Sequence, residues 1–208
     1  MIKDGFDRRK ERAVQTRERL YASADRLFLQ HGVDAVSVDA IVEDAGVSKG
    51  AFYVHFQSKD ELASALIGDY VSKIDMDYQS YLDRLPPGHS AVDTLLGLVG
   101  EIFDVIENRV GCERIKVLYR AQIVHPGDAQ KASGYSRALY AMLGDVLERG
   151  MRSGEFKQQQ PAEELARHMM LAMRGLTYEW CIRYPDFPLK EQAVAHFRML
   201  LEGIAVKG

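Results

Sequence analysis

Apolar residues recur at helical spacing along almost the whole chain. Leu20, Tyr21, Ala24, Leu27, Phe28 and His31 follow an i, i+3, i+4 pattern, which predicts an amphipathic helix over about residues 13–31. Gly32 stands where that helix would stop. Ser37 then precedes VDAIVEDAG, a short helix whose Val38, Ile41 and Val42 share the inward face. The serine is a natural N-cap, and Gly46 closes the helix. A second short helix is predicted over roughly 49–55, with Ser48 to cap it. SKDE at 58–61 is a capping box ahead of Leu62, Ala65, Leu66, Tyr70, Ile74, Tyr78, Tyr81 and Leu82. A long helix is therefore expected to about residue 84, broken by PPGHS at 86–90.

Four or five more helices are predicted, at about 90–108, 112–124, 128–153, 161–183 and 188–206. Gly111, HPGD at 125–128, SGEFKQQQP at 153–161 and YPDFP at 184–188 separate them. No strand-like alternation bounded by hairpin turns stands out, and there is no internal repeat. The fold expected is all-α with about nine helices: a three-helix helix-turn-helix unit over 1–60 with a basic N-terminal arm, then a larger helical body over 61–208.

Composition narrows this picture. With 208 residues, 47% hydrophobic and 27% charged, the chain can bury a real core in one or two compact domains. No apolar run approaches the roughly 18–20 residues that span a bilayer, and the charged start MIKDGFDRRKERAVQTRERL does not read as an export signal. No membrane association is expected. Cys112 and Cys181 have no metal-type spacing and are expected as reduced thiols in the cytoplasm. The net charge of −3 gives nucleic-acid binding no support of its own. Residues 1–20 hold seven Lys/Arg against four Asp/Glu, but residues 1–60 balance at ten against ten. Affinity for DNA would rest on a few placed cations rather than a broad basic field.

The densest chemistry lies in VSKGAFYVHFQSKDEL, residues 47–62. Two short helices joined through Ala45, Gly46 and Val47 make a helix-turn-helix, with Gly46 free to take a positive φ. Phe52 and Phe56 are i and i+4 and would pack on Leu27, Phe28 and Ile41. Lys49 and Tyr53, also i and i+4, lie on a different face, open to a partner. Gly50 and Ala51 are small enough for close approach to a groove. His55 and Lys59 flank the helix end, where donors grip phosphates. Ser48 offers a hydroxyl and exposed N–H groups at a helix N-terminus.

ADRLFLQHGVDAVSVDAIVEDAGVSKGAFYVHFQSKDEL, residues 24–62, resembles the signature of the TetR family of transcriptional repressors. The resemblance covers about 40 residues; beyond it the chain is similar only in length and helical content. It implies that Ser37, Ser48, Lys49, Gly50, Tyr53, His55 and Lys59 occupy the DNA-contacting positions. Tyr53, His55 and Lys59 would mainly hold phosphates; Lys49, Gly50 and Ser48 would meet base edges. Position 54 is Val where many relatives carry a larger aromatic or polar residue. An apolar Val touches a thymine methyl but makes no hydrogen bond to a base, so DNA shape is expected to carry part of the selection. Asp39, Glu43 and Asp44 are expected to face away from phosphates.

Plainer readings stand beside these. Taken alone, Tyr53 and His55 are structural residues and Lys59 a first-turn lysine that the helix dipole disfavours. The arm RRKERAVQTRER is ordinarily a solvated tail; contact with DNA backbone or minor groove is the alternative. In the body, Phe103, Tyr119, Tyr140, Met169, Met170, Met173, Tyr178 and Trp180 have core-like spacing. They are either plain packing or, in part, the lining of an apolar pocket for a small-molecule effector. The pocket candidates are Phe103, Tyr119, Arg120, His168, Met169, Met173 and Trp180, with Arg120 and His168 as polar anchors or surface residues. The last two helices, carrying Leu165, Met169, Ala172 and Leu176, then Val194, Phe197, Leu200, Leu201 and Ile204, exceed what a small body needs. The family resemblance implies a four-helix dimer seam there, with Gly175 allowing close approach; intramolecular packing is the alternative.

The function expected is a homodimeric, ligand-responsive regulator that binds a near-palindromic operator in double-stranded DNA and is released by a small molecule. A redox trigger at Cys112 or Cys181 is the alternative on the same fold, and an activator is another. An all-α enzyme finds no support: there is no phosphate-cradling glycine loop, no metal-type cluster and no nucleophile–base motif beyond the weak pair Cys112 and His125. No cofactor and no metal are expected.

Overall fold

A computed structural model describes residues 3–124 and 134–206; side chains are described outside 3–9, 67–77, 121–122, 124 and 134–136. Among the described residues there are nine α-helices and one π-helical segment: α1 (Lys3–His31), α2 (Val38–Ala45), α3 (Lys49–His55), α4 (Lys59–Asp83), α5 (Ala91–Asp104) continuing into the π-helical Val105–Val110, α6 (Cys112–Val124), α7 (Gly134–Arg152), α8 (Ala162–Arg183) and α9 (Leu189–Ile204). Extended backbone among them amounts to a single antiparallel bridge between Phe156 and Ala205. The expected HPGD separator and the first residues of the helix expected from 128 lie outside the described residues.

The chain divides into two compact units, Met1–Asp69 with Lys116–Ala132, and Tyr70–Ile115 with Ser133–Gly208. In the first, α1 packs on α2 and α3 around Leu20, Ala24, Phe28, Val33, Ile41, Phe52, Phe56 and Leu62. Val117 of α6 packs against the same core. Capping fixes each short helix. Ser37 Oγ accepts from Ala40 N–H at 3.1 Å, and Ser48 Oγ accepts from Ala51 N–H at 3.1 Å. Gly46 sits at φ 60°, a left-handed turn that lets its N–H reach Glu43 O and Val47 N–H reach Val42 O. The capping box forms at α4, where Ser58 Oγ accepts from Glu61 N–H at 3.0 Å. Glu61 reaches back to the N–H of Gln57 at 2.6 Å, one residue further than the reciprocal bond usually reaches.

The second unit is built on α5, which packs on α7 and α9, while α8 packs on α7. Its fully buried side chains include Trp180, Phe103, Phe156 and Phe197, with the Phe103 and Phe197 rings 6.3 Å apart. Two carboxylates fasten its helix ends. Glu107 accepts from the N–H groups of Leu189 and Lys190 at 3.0 Å each, and Glu155 accepts from Ser90 Oγ and Ala91 N–H at 2.8 Å each. Burial pushes the Glu155 carboxyl up, but donors from Ser90, Ser153 and the Ala91 and Val92 backbone outweigh it and hold the group below the ordinary glutamate value.

Candidate nucleic-acid interface

Helix α3 is only two turns long, too short to persist in water without tertiary support. Its support comes from beneath. Phe52 and Phe56 are buried in the first unit's core, with ring centroids 5.8 Å apart, and Tyr21 of α1 approaches Phe56 at 5.6 Å. Arg17 adds its guanidinium 5.0 Å from the Tyr21 ring and 5.3 Å from the Phe56 ring. With those two phenylalanines turned in, the helical period turns Lys49, Gly50, Tyr53 and Val54 out. Tyr53 is 52% exposed and Val54 81%. An isopropyl group so open to water gains nothing from the fold around it, which suits a contact surface rather than a core.

The sequence-predicted contact residues divide by what their polar atoms do. Lys49, Gly50 and Tyr53 present outward; His55 is half-buried, its ring 6.3 Å from Phe56. Ser37 and Ser48 are exposed, but each hydroxyl oxygen is engaged as a helix cap. Lys59 departs from its expected phosphate role. Its ammonium donates to Val33 O at 2.5 Å, Val36 O at 2.7 Å and Asp34 O at 3.5 Å, so its three N–H donors close the α1–α2 loop. That bonding also explains a lysine at the first position of α4, where the helix dipole opposes it.

Asp44 is paired with Arg26 of α1, and hydrogen bonds from Arg26, then Ser23, hold its carboxyl below the ordinary aspartate value. Asp39 lies beside the exposed face of α3, its Oδ1 2.7 Å from Lys49 Nζ. The hydrogen bond and charge of Asp39 raise the Lys49 ammonium above its usual pKa. Sequence reasoning missed this pair because the two residues are ten apart and on different helices; only the tight turn at Gly46 brings both helix starts together.

The pocket candidates are divided between the two units. Phe103, Met169, Met173 and Trp180 are buried in the second unit, whereas His168 is on its exposed surface. Arg120 and Tyr119 belong to the first unit, and Arg120 is exposed and paired with Asp34 of the α1–α2 loop. A guanidinium satisfied by a surface carboxylate is not a buried anchor for an effector, so Arg120 and His168 are surface residues. Cys112 and Cys181 are buried and in no disulfide, and His125 lies outside the described residues.

The family model described as "Bacterial regulatory proteins, tetR family" matches residues 20–66, which span α2, α3 and the adjoining parts of α1 and α4. Residues 20–66 carry the TetR-family domain, and the chain is similar to transcriptional regulators of that family. It is 29% identical over 205 residues to the HTH-type transcriptional regulator AcrR of Shigella flexneri, covering 93% of this chain and 91% of that one. It is 26% identical over 205 residues to the HTH-type transcriptional repressor KstR2 of Mycobacterium tuberculosis, covering 92% and 94%. Its fold is similar to that of Thermus thermophilus FadR, a repressor solved in complex with lauroyl-CoA, with a TM-score of 0.72 at 20% identity, covering 92% of this chain and 96% of that one. The chain is thus a DNA-binding regulator of TetR type, with the exposed face of α3 as the candidate interface.

Proposed function

We propose that the protein is a homodimeric repressor that holds a near-palindromic operator and is released by a small molecule. Residues 1–60 form the DNA-binding part, and 61–208 the sensing and dimerising part. The observation that carries the reading is the outward face of α3, where Lys49, Tyr53 and the 81%-exposed Val54 stand clear of a core that has claimed Phe52 and Phe56. One such helix per protomer enters the major groove of each half-site.

Dimer formation is supported by α8 and α9. Leu171 and Ile182 are 58% and 60% exposed on α8, and Met199 is 64% exposed on α9. Gly175 lies between the two α8 residues with nothing within 4 Å of where a Cβ would stand, so a second copy's helix can approach closely. An effector acts only through different affinities for the DNA-competent and released states. The two helices that carry residues of both units, α4 and α6, are the ones through which such a difference travels. KstR2 and FadR are repressors, and FadR was solved with lauroyl-CoA; by analogy an apolar effector binds among Phe103, Met169, Met173 and Trp180. A cysteine trigger is disfavoured, since Cys112 and Cys181 are both buried.

The test is a mobility-shift assay on DNA flanking the chain's own gene. A retarded band at low salt that weakens steeply as salt rises is expected. No band with folded dimer present rejects the proposal.

A further inference from the structure

The Asp39–Lys49 pair is an oddity for a surface that must approach a polyanion. Both side chains are exposed, Lys49 to 53% and Asp39 to 70%, with Nζ and Oδ1 2.7 Å apart. Asp39 is in the first turn of α2 and Lys49 begins α3, so the capped starts of both helices hold the pair at the edge of the outward face. Against phosphates the carboxylate is repelled, and it also cancels the charge of the one lysine on α3. Against base edges the same pair is complementary. It offers one donor and one acceptor side by side at the spacing of a hydrogen bond.

In a G·C pair, guanine O6 and the cytosine N4 amino group are themselves bonded, spaced at about 2.9 Å. Guanine presents two acceptors, N7 and O6, to the major groove, and the second N4 hydrogen of cytosine points into it. An ammonium set over N7 and O6 places an adjacent carboxylate over N4–H, closing a square of four polar groups. An A·T pair also has a bonded donor and acceptor, but the ammonium would meet only thymine O4, crowded by the neighbouring methyl. Lysine favours guanine and aspartate favours cytosine, so the two members select the same base pair.

Resting on the DNA-binding reading above, we infer that Asp39 and Lys49 act as one unit that reads a G·C pair in each operator half-site, with guanine under Lys49 and cytosine under Asp39. Asp39 is thus a specificity residue on α2, outside the stretch that the sequence marks for base reading.

The test uses the full-length chain and a random-sequence duplex library, selected in parallel with wild type, Asp39→Ala, Lys49→Ala and Asp39→Asn. Wild type is expected to select a two-fold motif with one fixed G·C position per half-site. Asp39→Ala and Lys49→Ala are each expected to lose preference at that same position, by roughly five- to 150-fold, and at no other. Asp39→Asn, which keeps the shape of the side chain, is expected to move the position toward A·T, since an amide pairs with adenine N6 and N7. The inference is overturned if Asp39→Ala leaves the motif intact and only strengthens binding to all duplexes alike, or if the two alanine variants alter different positions. Wild type retaining no duplex at low salt would overturn the DNA-binding reading itself, a distinct failure.

Discussion

Replacing Lys59 by methionine separates two roles that one lysine cannot hold at once. In the structure its ammonium donates to the carbonyls of Val33, Val36 and Asp34, closing the loop between α1 and α2. Val33 and Val36 are buried, so the loop they anchor is part of the core supporting α3. Hydrogen bonds from a charged donor contribute about 1.5–3 kcal/mol. Methionine removes that contribution but keeps the stem and relieves an unfavourable cation at a helix N-terminus, which returns about 0.3–1 kcal/mol. The net loss is about 1–2 kcal/mol. For a chain of this size each kcal/mol moves the thermal midpoint by about 2–4 °C, so a fall of roughly 2–8 °C is expected by circular dichroism. The salt dependence of DNA binding supplies the second readout. A lysine on a phosphate contributes about 0.9 to the slope of log affinity against log salt, nearly 2 for a dimer. Lys59→Met is expected to leave that slope unchanged. A variant with an unmoved midpoint and a slope shallower by about 2 would refute the reasoning and return Lys59 to the phosphate backbone.

Three other outcomes follow from the second unit. A Cβ on Gly150 would meet Phe156 ring carbons at 2.3 and 2.4 Å and the Ala91 methyl at 2.8 Å, so Gly150→Ala is expected to cost about 1–3 kcal/mol in urea titrations; equal midpoints would show that the Phe156 ring yields freely. Glu155 has a depressed pKa, so its stabilisation is complete above the unfolded glutamate value of about 4.3 and lost as pH falls through the lower folded value; Glu155→Gln should lower urea midpoints at pH 7 and converge with wild type in acid, and a constant gap at all pH values would contradict this. Ile182→Glu places a charge on the exposed face of α8, and sedimentation is expected to show monomer in place of dimer; an unchanged dimer would move the seam elsewhere.

Much of the fold was legible because the chain is punctuated. Ser37, Ser48 and Ser58 start helices and Gly46 ends one, and the short α2 and α3 lie where those residues place them. The start of α1 was not legible: residues 3–12 mix Lys, Arg and Glu with the weak helix formers Asp4, Gly5 and Asp7 and carry no apolar stripe, and the expected helix began near residue 13 whereas α1 starts at Lys3. The π-helical Val105–Val110 was read as the end of an ordinary helix, because a shift from i−4 to i−5 bonding leaves the apolar spacing almost unaltered. The partners of Lys59 and Arg120 were not legible for one reason. A cation's role depends on which acceptor the fold brings to it, and Asp34 and the α1–α2 carbonyls are more than twenty residues away in sequence.

The same dependence explains how an acidic chain presents a face to DNA. Its first sixty residues carry no net charge, yet three carboxylates of the first unit are paired with cations. Asp44 is matched by Arg26, Asp34 by Arg120 and Asp39 by Lys49. Exposed pairs of this kind contribute little to stability, so their main effect is on the field the duplex meets. Pairing replaces isolated negative charges with short dipoles, whose repulsion of phosphates falls off faster with distance than that of a bare carboxylate. Two of the three pairs tie α1 or α6 to α2 and the loop before it, and there cancellation is all they supply. The third stands beside α3, where a dipole has something to read. A surface with few spare cations binds random DNA weakly, so a larger share of its affinity has to come from base edges and DNA shape.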